Sequence, residues 1–409
     1  MAEIEQALKT DEPAKTGLRI MLKAGQEKRV FAGHAWVFSN EIASVAGSAE
    51  MGAAATVVTA GGSLIGTAVY NPHSLIACRM VSLKETVELD AGFFLKKLTT
   101  AKEYRERVRP GETSYRLCFG ESDGLPGLVI DRYGSVLVLQ VLSAGMEVRL
   151  EEIRVALTEL LKPQAIYLKN DHRTRALEGL PLETRLLSGS LPENVQIAEG
   201  GLRFATPIGE GQKTGFYFDQ AENRQFLRPY FKDRVVLDLY CYTGAFGVNA
   251  AKFGAKAVLG LDSSGPAIET ARENAKLNGV DEIATFEEDD AEEALRTFAD
   301  GQQPFKPDMI LLDPPSLVPS KKHLMKALRA YGKLNGQALR ALPKGGLLAT
   351  STCSHHVSRE IFVEMLRLSA AKVQIPVRLV ALRGQAADHP ILLSMPETEY
   401  LHFALLEVL

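Results

Sequence analysis

The sequence predicts an α/β chain whose C-terminal block, from about residue 199, folds as a mainly parallel, doubly wound sheet. Three observations predict it. Short apolar runs, "RVVLDLY", "KAVLGLD", "IATFEEDD", "DMILLDPP" and "GGLLATSTC", have the length and composition of buried strands. Between them lie "GAFGVNAAKFG", "GPAIETARENAKLNG" and "KKHLMKALRAYGKLNGQALRAL", which read as helices, and strict strand–helix alternation implies parallel crossovers with helices on both faces. Most of the strand runs end in an acidic or polar residue, which places those residues on the carboxyl rim where such sheets bind ligands.

The remaining blocks follow in chain order. At 409 residues the chain is long enough for two or three domains. Residues 1–16 are polar and acidic and are expected to form a disordered tail. Residues 17–86 hold "AAATVVTA", "SLIGTAVY" and "SLIACRMVS", short alternating runs separated by Gly, Asn-Pro and Ser, the pattern of a small β-barrel. Residues 87–198 suit an α+β domain. "AGFFLKKLTTAKEYRERV" is helical, "GLVIDRYGSVLVLQVL" is a hairpin turning at "RYGS", and "EVRLEEIRVALTELL" carries apolar residues at helical spacing. Residues 199–409 complete the chain as the doubly wound domain.

Composition restricts the setting. With 46% apolar and 24% charged residues the chain reads as soluble and globular. Cys78, Cys118, Cys241 and Cys353 lie far apart without a CxxC pair, which argues against a structural metal site and a disulfide framework and fits a reducing, cytoplasmic compartment. No apolar signal core and no run of about 18 apolar residues occurs, so neither secretion nor membrane spanning is expected. The net charge of −3 is uninformative by itself, since a dedicated nucleic-acid binder is often strongly basic. Locally, however, Arg19, Lys23, Lys28 and Arg29 stand against Glu27 alone, with His34 and Trp36 close behind. This is either a phosphate-binding patch or a solvated surface followed by a buried Trp.

The ligand on the rim follows from what the first turn lacks. "LDLYCYTGAFGVNA" has Gly244 and Gly247 but no GxGxxG, a poor cradle for a pyrophosphate. A cationic sulfonium needs no such cradle. A glycine turn for the amino-acid part, an acid after the second strand for ribose hydroxyls (Asp262) and one after the third for adenine (Asp290) suit S-adenosylmethionine. In "LDPPSL" the proline after Asp313 excludes helix and presents the carboxylate from a rigid corner. Enzymes that methylate exocyclic amino groups usually follow such a turn with an aromatic that stacks on the base; here Ser316 stands instead. Cys353 lies just past the fifth apolar run. Neighbouring strands would bring it beside Asp313, where a thiolate can add to C6 of a pyrimidine and make C5 nucleophilic.

The segments "GHAWVFSNEI", "SYRLCFGESDGLPGLVIDRYG", "VLQVLSAGME", "GQKTGFYFDQAENR", "YCYTGAFGV", "LDPPSLV", "STCS" and "QAADHP" resemble the bacterial large-subunit rRNA methyltransferase family that makes 5-methylcytidine in 23S rRNA, over nearly the whole chain from Leu18. The resemblance implies an N-terminal PUA-like RNA-binding barrel, a central α+β domain and a C-terminal Rossmann-like class I methyltransferase domain. It implies S-adenosylmethionine as cofactor, held by Gln220, Asp238, Tyr242, Thr243, Gly244, Asp262, Ser263, Asp290 and Asp313. It also implies Cys353 as the nucleophile with Asp313 as the acid beside it, 23S rRNA or an assembling large subunit as partner, and a homodimer. Two stretches depart from the family: "SLVPSKK" follows the Pro-Pro turn where relatives often have Lys-Phe, and "HHV" follows Thr-Cys-Ser. His355, His356, His389 or a water are the expected candidates for the base that removes the C5 proton. Two other readings are a guanine-N2 methyltransferase with Cys353 merely packing, and an RNA-binding assembly factor with a vestigial methyltransferase domain.

Overall fold

The computed structural model describes residues 17–209, 214–318 and 321–409. The tail expected at 1–16, part of "GQKTGFYFDQAENR" and part of "SLVPSKK" lie outside the described residues. The chain divides into two compact units, one holding the residues up to Arg105, Leu117–Leu191 and Leu392–Met395, the other Glu106–Arg116, Pro192–Ile391 and Pro396–Leu409.

In the first unit a six-stranded sheet is built from the segments Arg19–Leu22, Trp36–Val37, Ile42–Ala46, Ala54–Val58, Leu64–Tyr70 and Cys78–Met80. Leu18, Ile20, Leu22, Val57, Ile65 and Cys78 form its core. Alternation in "RIML" explains the first strand: Ile20 and Leu22 turn inward while Arg19 faces water. The hairpin expected at "RYGS" is present, with Leu128–Tyr133 antiparallel to Val136–Val141. Its turn uses Gly134 at φ 61°, a left-handed conformation that glycine adopts at little cost. Ala165–Asn170 adds parallel to Val136–Val141, and Glu183–Gly189 pairs antiparallel with Ala165–Asn170. The expected helices are Ala91–Val108 and Leu150–Leu161, the latter burying Ile153, Ala156 and Leu157.

The second unit holds a seven-stranded sheet: β1 (Val235–Leu239), β2 (Ala257–Asp262), β3 (Ala284–Glu288), β4 (Met309–Leu312), β5 (Leu347–Thr352), β6 (Val377–Arg383) and β7 (His402–Val408). Their order in space is β3-β2-β1-β4-β5-β7-β6, with β1 to β5 parallel and β7 antiparallel to both its neighbours. Strands covered on both faces should read as continuous apolar runs, and every residue of β4 and β5 is buried. Between the strands lie α1 (Ala245–Lys252), α2 (Gly265–Leu277), α3 (Ala291–Ala299), α4 (Leu324–Ala341) and α5 (Arg359–Val373). Ser264, Asp290 and Ser358 cap α2, α3 and α5, each accepting a backbone N–H with its side chain. Leu237, Ile310, Leu312, Leu348, Tyr331, Phe362 and Leu406 pack together in one core. Strand order reverses between β1 and β4, and such a switch point opens a crevice at the carboxyl ends. The two last strands and the hairpin Val195–Glu199/Leu202–Thr206 were not among the runs legible as strands.

Candidate active site

A cavity of about 340 Å³ opens at that switch point, walled entirely by the second unit. Tyr240 to Thr243 enter it from the turn after β1, Asp262 and Ser263 from the end of β2, Asp313 to Ser316 from the corner after β4 and Cys353 from the end of β5. Phe216, Tyr217, Asp219 and Gln220 complete the wall from the segment before the short helix Ala221–Leu227. Of the expected cofactor residues, Gln220, Tyr242, Thr243, Asp262, Ser263 and Asp313 line the cavity. Asp238 and Gly244 are not in the wall, and neither is Asp290, which is exposed and caps α3 through a 2.8 Å bond from the Glu293 N–H.

The turn after β1 is strained. Tyr240 and Tyr242 adopt φ 61° and 50°, and Gly244 follows at 76°; left-handed tyrosines cost energy that surrounding bonds must offset. Those bonds come from β2. The Cys241 N–H donates to the Leu261 carbonyl at 3.1 Å and the Tyr242 N–H to Asp262 Oδ2 at 3.0 Å, while Asp262 Oδ1 accepts the Ser264 N–H at 3.0 Å. Gly244 is required twice over, by its φ and because a Cβ there would lie 2.8 Å from the Phe286 ring.

Electrostatics favour a cation. Asp238 is 1% exposed and its Oδ2 accepts the Gly247 N–H at 2.8 Å. Burial, against that hydrogen bond and reinforced by the neighbouring Asp313 and Asp262, pushes its carboxyl up to about 8. Arg224, which also lines the cavity, is spent in a buried bidentate pair with Glu199 at 2.7 Å. Among the described residues the site thus offers carboxylates and aromatic rings and no uncommitted arginine, a donor set that fits a sulfonium and an adenosine better than a pyrophosphate.

On the other side, Ser351 donates to Asp313 Oδ1, Gln220 Nε2 to Ser351 Oγ at 3.3 Å, and Asn223 Nδ2 to Gln220 Oε1 at 2.7 Å. The Pro-Pro corner and the cysteine turn are tied together: Ser354 Oγ lies 2.9 Å from Ser316 Oγ and 2.9 Å from the Tyr331 hydroxyl, which accepts the Leu317 N–H at 3.1 Å. Ser316 therefore has a structural task where an aromatic was absent. Cys353 is half-buried, whereas Cys78, Cys118 and Cys241 are buried. Burial pushes the Cys78 and Cys241 thiols up, which leaves them poor nucleophiles. The Tyr217, Tyr331 and Tyr400 hydroxyls are all raised, by burial first, and Cys353 adds to each. Tyr400 donates to Asp219 Oδ2 at 2.6 Å. None of His355, His356 and His389 lines the cavity; His355 and His356 are exposed, and His389 is buried with Nδ1 2.9 Å from Asp388 Oδ1.

The basic patch lies in the first unit. Arg19, Lys23 and Lys28 are exposed; Arg19 reaches the Gly62 carbonyl at 3.2 Å and Lys23 the Asn40 carbonyl at 2.7 Å. Arg29 is half-buried, stacks over Phe38 and holds both oxygens of Glu41 at 2.9 and 2.8 Å. Glu41 stands one position beyond the stretch read as basic. Trp36 is only partly buried, its indole N–H donating to Glu121 at 2.8 Å.

Ser351, Tyr331, Tyr400 and Asp219 were not singled out from sequence. Ser351 and Asp219 sit beside quoted residues, in "STC" and "FYFDQ", and were within reach of that reading. Tyr331 and Tyr400 carry no local signal, since only the fold brings α4 and the approach to β7 to Ser354 and Asp219.

Residues 20–83 match the PUA-like domain family, and residues 126–378 match the S-adenosylmethionine-dependent methyltransferase family. Ribosomal RNA large subunit methyltransferase I of Erwinia tasmaniensis is 38% identical over 388 residues, 94% of this chain and 98% of that protein. The protein of the same name from Pseudoalteromonas atlantica is 37% identical over 394 residues, covering 96% and 99%, and that of Escherichia coli O139:H28 is 37% identical, covering 94% and 98%. Among solved structures, a chain described as a SAM-dependent methyltransferase from Streptococcus mutans superposes with a TM-score of 0.81 at 22% identity, over 95% of this chain and 100% of that one. A methyltransferase complexed with SAH gives the same values.

Proposed function

Since the chain belongs to the S-adenosylmethionine-dependent methyltransferases of the ribosomal RNA large subunit methyltransferase I family, we propose that it methylates C5 of a cytosine in 23S rRNA through a covalent bond from Cys353 to C6. One observation carries the reading. Cys353 and Asp313 leave the carboxyl ends of the adjacent parallel strands β5 and β4 and line one cavity.

S-adenosylmethionine, when bound, supplies an electrophilic methyl group on a cationic sulfur. Asp262 and Ser263 are assigned to its ribose, and Tyr242, Thr243 and Gly244 to its amino-acid end, where the glycine turn leaves the backbone open. Asp238 acts from behind, its charge favoured by a neighbouring cation. Gln220 and Ser351 orient Asp313.

The target cytosine leaves its RNA stack and enters the cavity. The Cys353 thiolate forms the S–C6 bond as the ring electrons move toward C5 and N3, and Asp313 in its acid form gives N3 a proton. C5, now an enamine carbon, would bond to the methyl group as the methyl–sulfur bond breaks, its electron pair staying on sulfur as a neutral thioether. Loss of the C5 proton restores the C5–C6 double bond and expels the thiolate, and N3 returns its proton to Asp313. Exposed Arg19, Lys23 and Lys28 are the proposed phosphate contacts. Residues 17–86 and 87–198 are proposed as the RNA-docking and central domains and 199–409 as the catalytic one, in a cytoplasmic homodimer.

The test is nucleoside analysis. Large-subunit rRNA from a strain lacking this protein, methylated with the purified enzyme and isotopically labelled cofactor, is digested to nucleosides and resolved by mass spectrometry. Label in 5-methylcytidine is expected. Label in N2-methylguanosine replaces this reading with amino-group chemistry, and binding of cofactor without any labelled nucleoside leaves an assembly factor.

A further inference from the structure

The mechanism leaves one step without a residue: removal of the proton from C5. We propose that Asp219 is the base that takes this proton, held in place by the Tyr400 hydroxyl. The assignment rests on the C5 reading above.

Three aspartates line the cavity among the described residues: Asp219, Asp262 and Asp313. Asp262 is committed to the Tyr242 and Ser264 backbone N–H groups, 20 and 2 positions away in sequence, and holds the cofactor turn. Asp313 faces Ser351 and is already engaged with N3. Asp219 holds neither the cofactor turn nor the N3 position, and it accepts the Tyr400 hydroxyl. Its residue is nevertheless rigidly placed. It is 4% exposed, the Tyr400 hydroxyl donates to Oδ2 at 2.6 Å, and its carbonyl accepts the Ala386 N–H at 2.8 Å. A base must be fixed within hydrogen-bond reach of the proton it removes, and two anchors from one loop supply that fixation.

Placement relative to the sulfur agrees. Tyr217 and Tyr400 are each raised by burial first, with Asp219 and, more weakly, Cys353 among the further causes, so the carboxylate and the thiol both act on these two phenols. When sulfur and methyl group approach opposite faces of the ring, the C5 hydrogen is left on the face of the sulfur. A base for that hydrogen belongs on the cysteine side; Asp219 lines the same cavity as Cys353, and none of the three histidines reaches its wall. The step balances: the C5–H bond breaks toward the carboxylate, its electron pair becomes the C5–C6 double bond, and the C6–S pair returns to Cys353. Tyr400 does not line the cavity and is a positioning residue.

Asp219→Asn keeps the shape and removes the basicity. With unmodified target RNA, the Asn variant should accumulate a denaturation-resistant protein–RNA adduct that already carries the labelled methyl group, and turnover should fall by about 10²–10⁴, the usual contribution of a general base. Retained cofactor binding by calorimetry reports an intact fold. Tyr400→Phe should accumulate the same methylated adduct to a smaller extent, a readout that loss of packing alone does not move. Wild-type turnover by Asp219→Asn, or failure of that variant to form any adduct while binding cofactor, overturns the assignment. Clearance of the adduct by Tyr400→Phe as fast as by wild type overturns the positioning role. If the wild type does not trap RNA carrying 5-fluorocytidine at the target, the C5 reading itself fails, whatever the variants do.

Discussion

The buried Asp238 makes cofactor affinity depend on pH. Its carboxyl is pushed up to about 8 by burial, with Asp313 and Asp262 adding repulsion and the Gly247 N–H and Arg224 opposing. In the free enzyme it is therefore largely protonated at pH 6, ionised about one time in a hundred, and about half ionised at pH 8. A cationic sulfonium nearby favours the ionised form, so binding releases a proton. If the bound form is fully ionised, affinity should rise up to about 50-fold between pH 6 and pH 8, or about 2.3 kcal/mol. The assay is isothermal titration of S-adenosylmethionine at pH 6, 7 and 8 in two buffers of different ionisation enthalpy, which also counts protons. S-adenosylhomocysteine, lacking the sulfonium charge, should show a shallower rise, and Asp238→Asn should be flat, because its amide oxygen still accepts the Gly247 N–H. The same raised carboxyl destabilises the free enzyme as pH rises from about 4 to about 8, by at most about 1.4 kcal/mol per unit, since the unfolded chain loses this proton first. Affinity that is level across the range, or an equal slope in Asp238→Asn, would refute the electrostatic account of the site.

Other expectations can be checked alongside. Asp262→Ala removes the acceptor for the Tyr242 N–H of the cofactor turn and for the Ser264 N–H at the cap of α2, as well as the proposed ribose contacts, and should weaken cofactor binding by about 2–4 kcal/mol in calorimetry. Replacing any two of Arg19, Lys23 and Lys28 by Ala should lower the slope of log affinity against log salt by about 0.7–0.9 per contact, measured by filter binding, with little change in the rate at saturating RNA. Arg29→Ala should act differently, costing on the order of 1 kcal/mol of stability in denaturant titration because it strands Glu41.

The doubly wound sheet was legible because strands covered on both faces must be apolar throughout, and the runs read for β1, β2, β4 and β5 each contain the strand, overshooting its ends by three residues at most. β6 and β7 were not. β6 lies at the sheet's edge with half-exposed residues such as Leu379 and Val380, so its run lacks the contrast that marks β4. The site was legible where chemistry sits on strand ends: Asp262, Asp313 and Cys353 follow apolar runs by one position at most, and all three line the cavity. Asp290 shows the limit of that rule. An acid just past a strand also makes a good helix cap, and capping α3 is what its carboxylate does here. Arg29 shows another: counting charges over 17–40 stopped one residue short of the glutamate that pairs with it. Tyr331 and Tyr400 depended on long-range packing, and nothing within a window of sequence marks them.

Covalent catalysis requires that Cys353 bond to the substrate. RNA carrying 5-fluorocytidine at the target, incubated with enzyme and cofactor and then denatured, measures this directly, because fluorine at C5 blocks the last proton removal and leaves sulfur attached. The wild type should give a methylated adduct whose peptide map places the RNA on Cys353, Cys353→Ala should give none while still binding cofactor, and Cys241→Ala, lacking a thiol that burial already makes a poor nucleophile, should still form it. An adduct in Cys353→Ala but not in Cys241→Ala, or methylation without an adduct in any of the three, would contradict the claim.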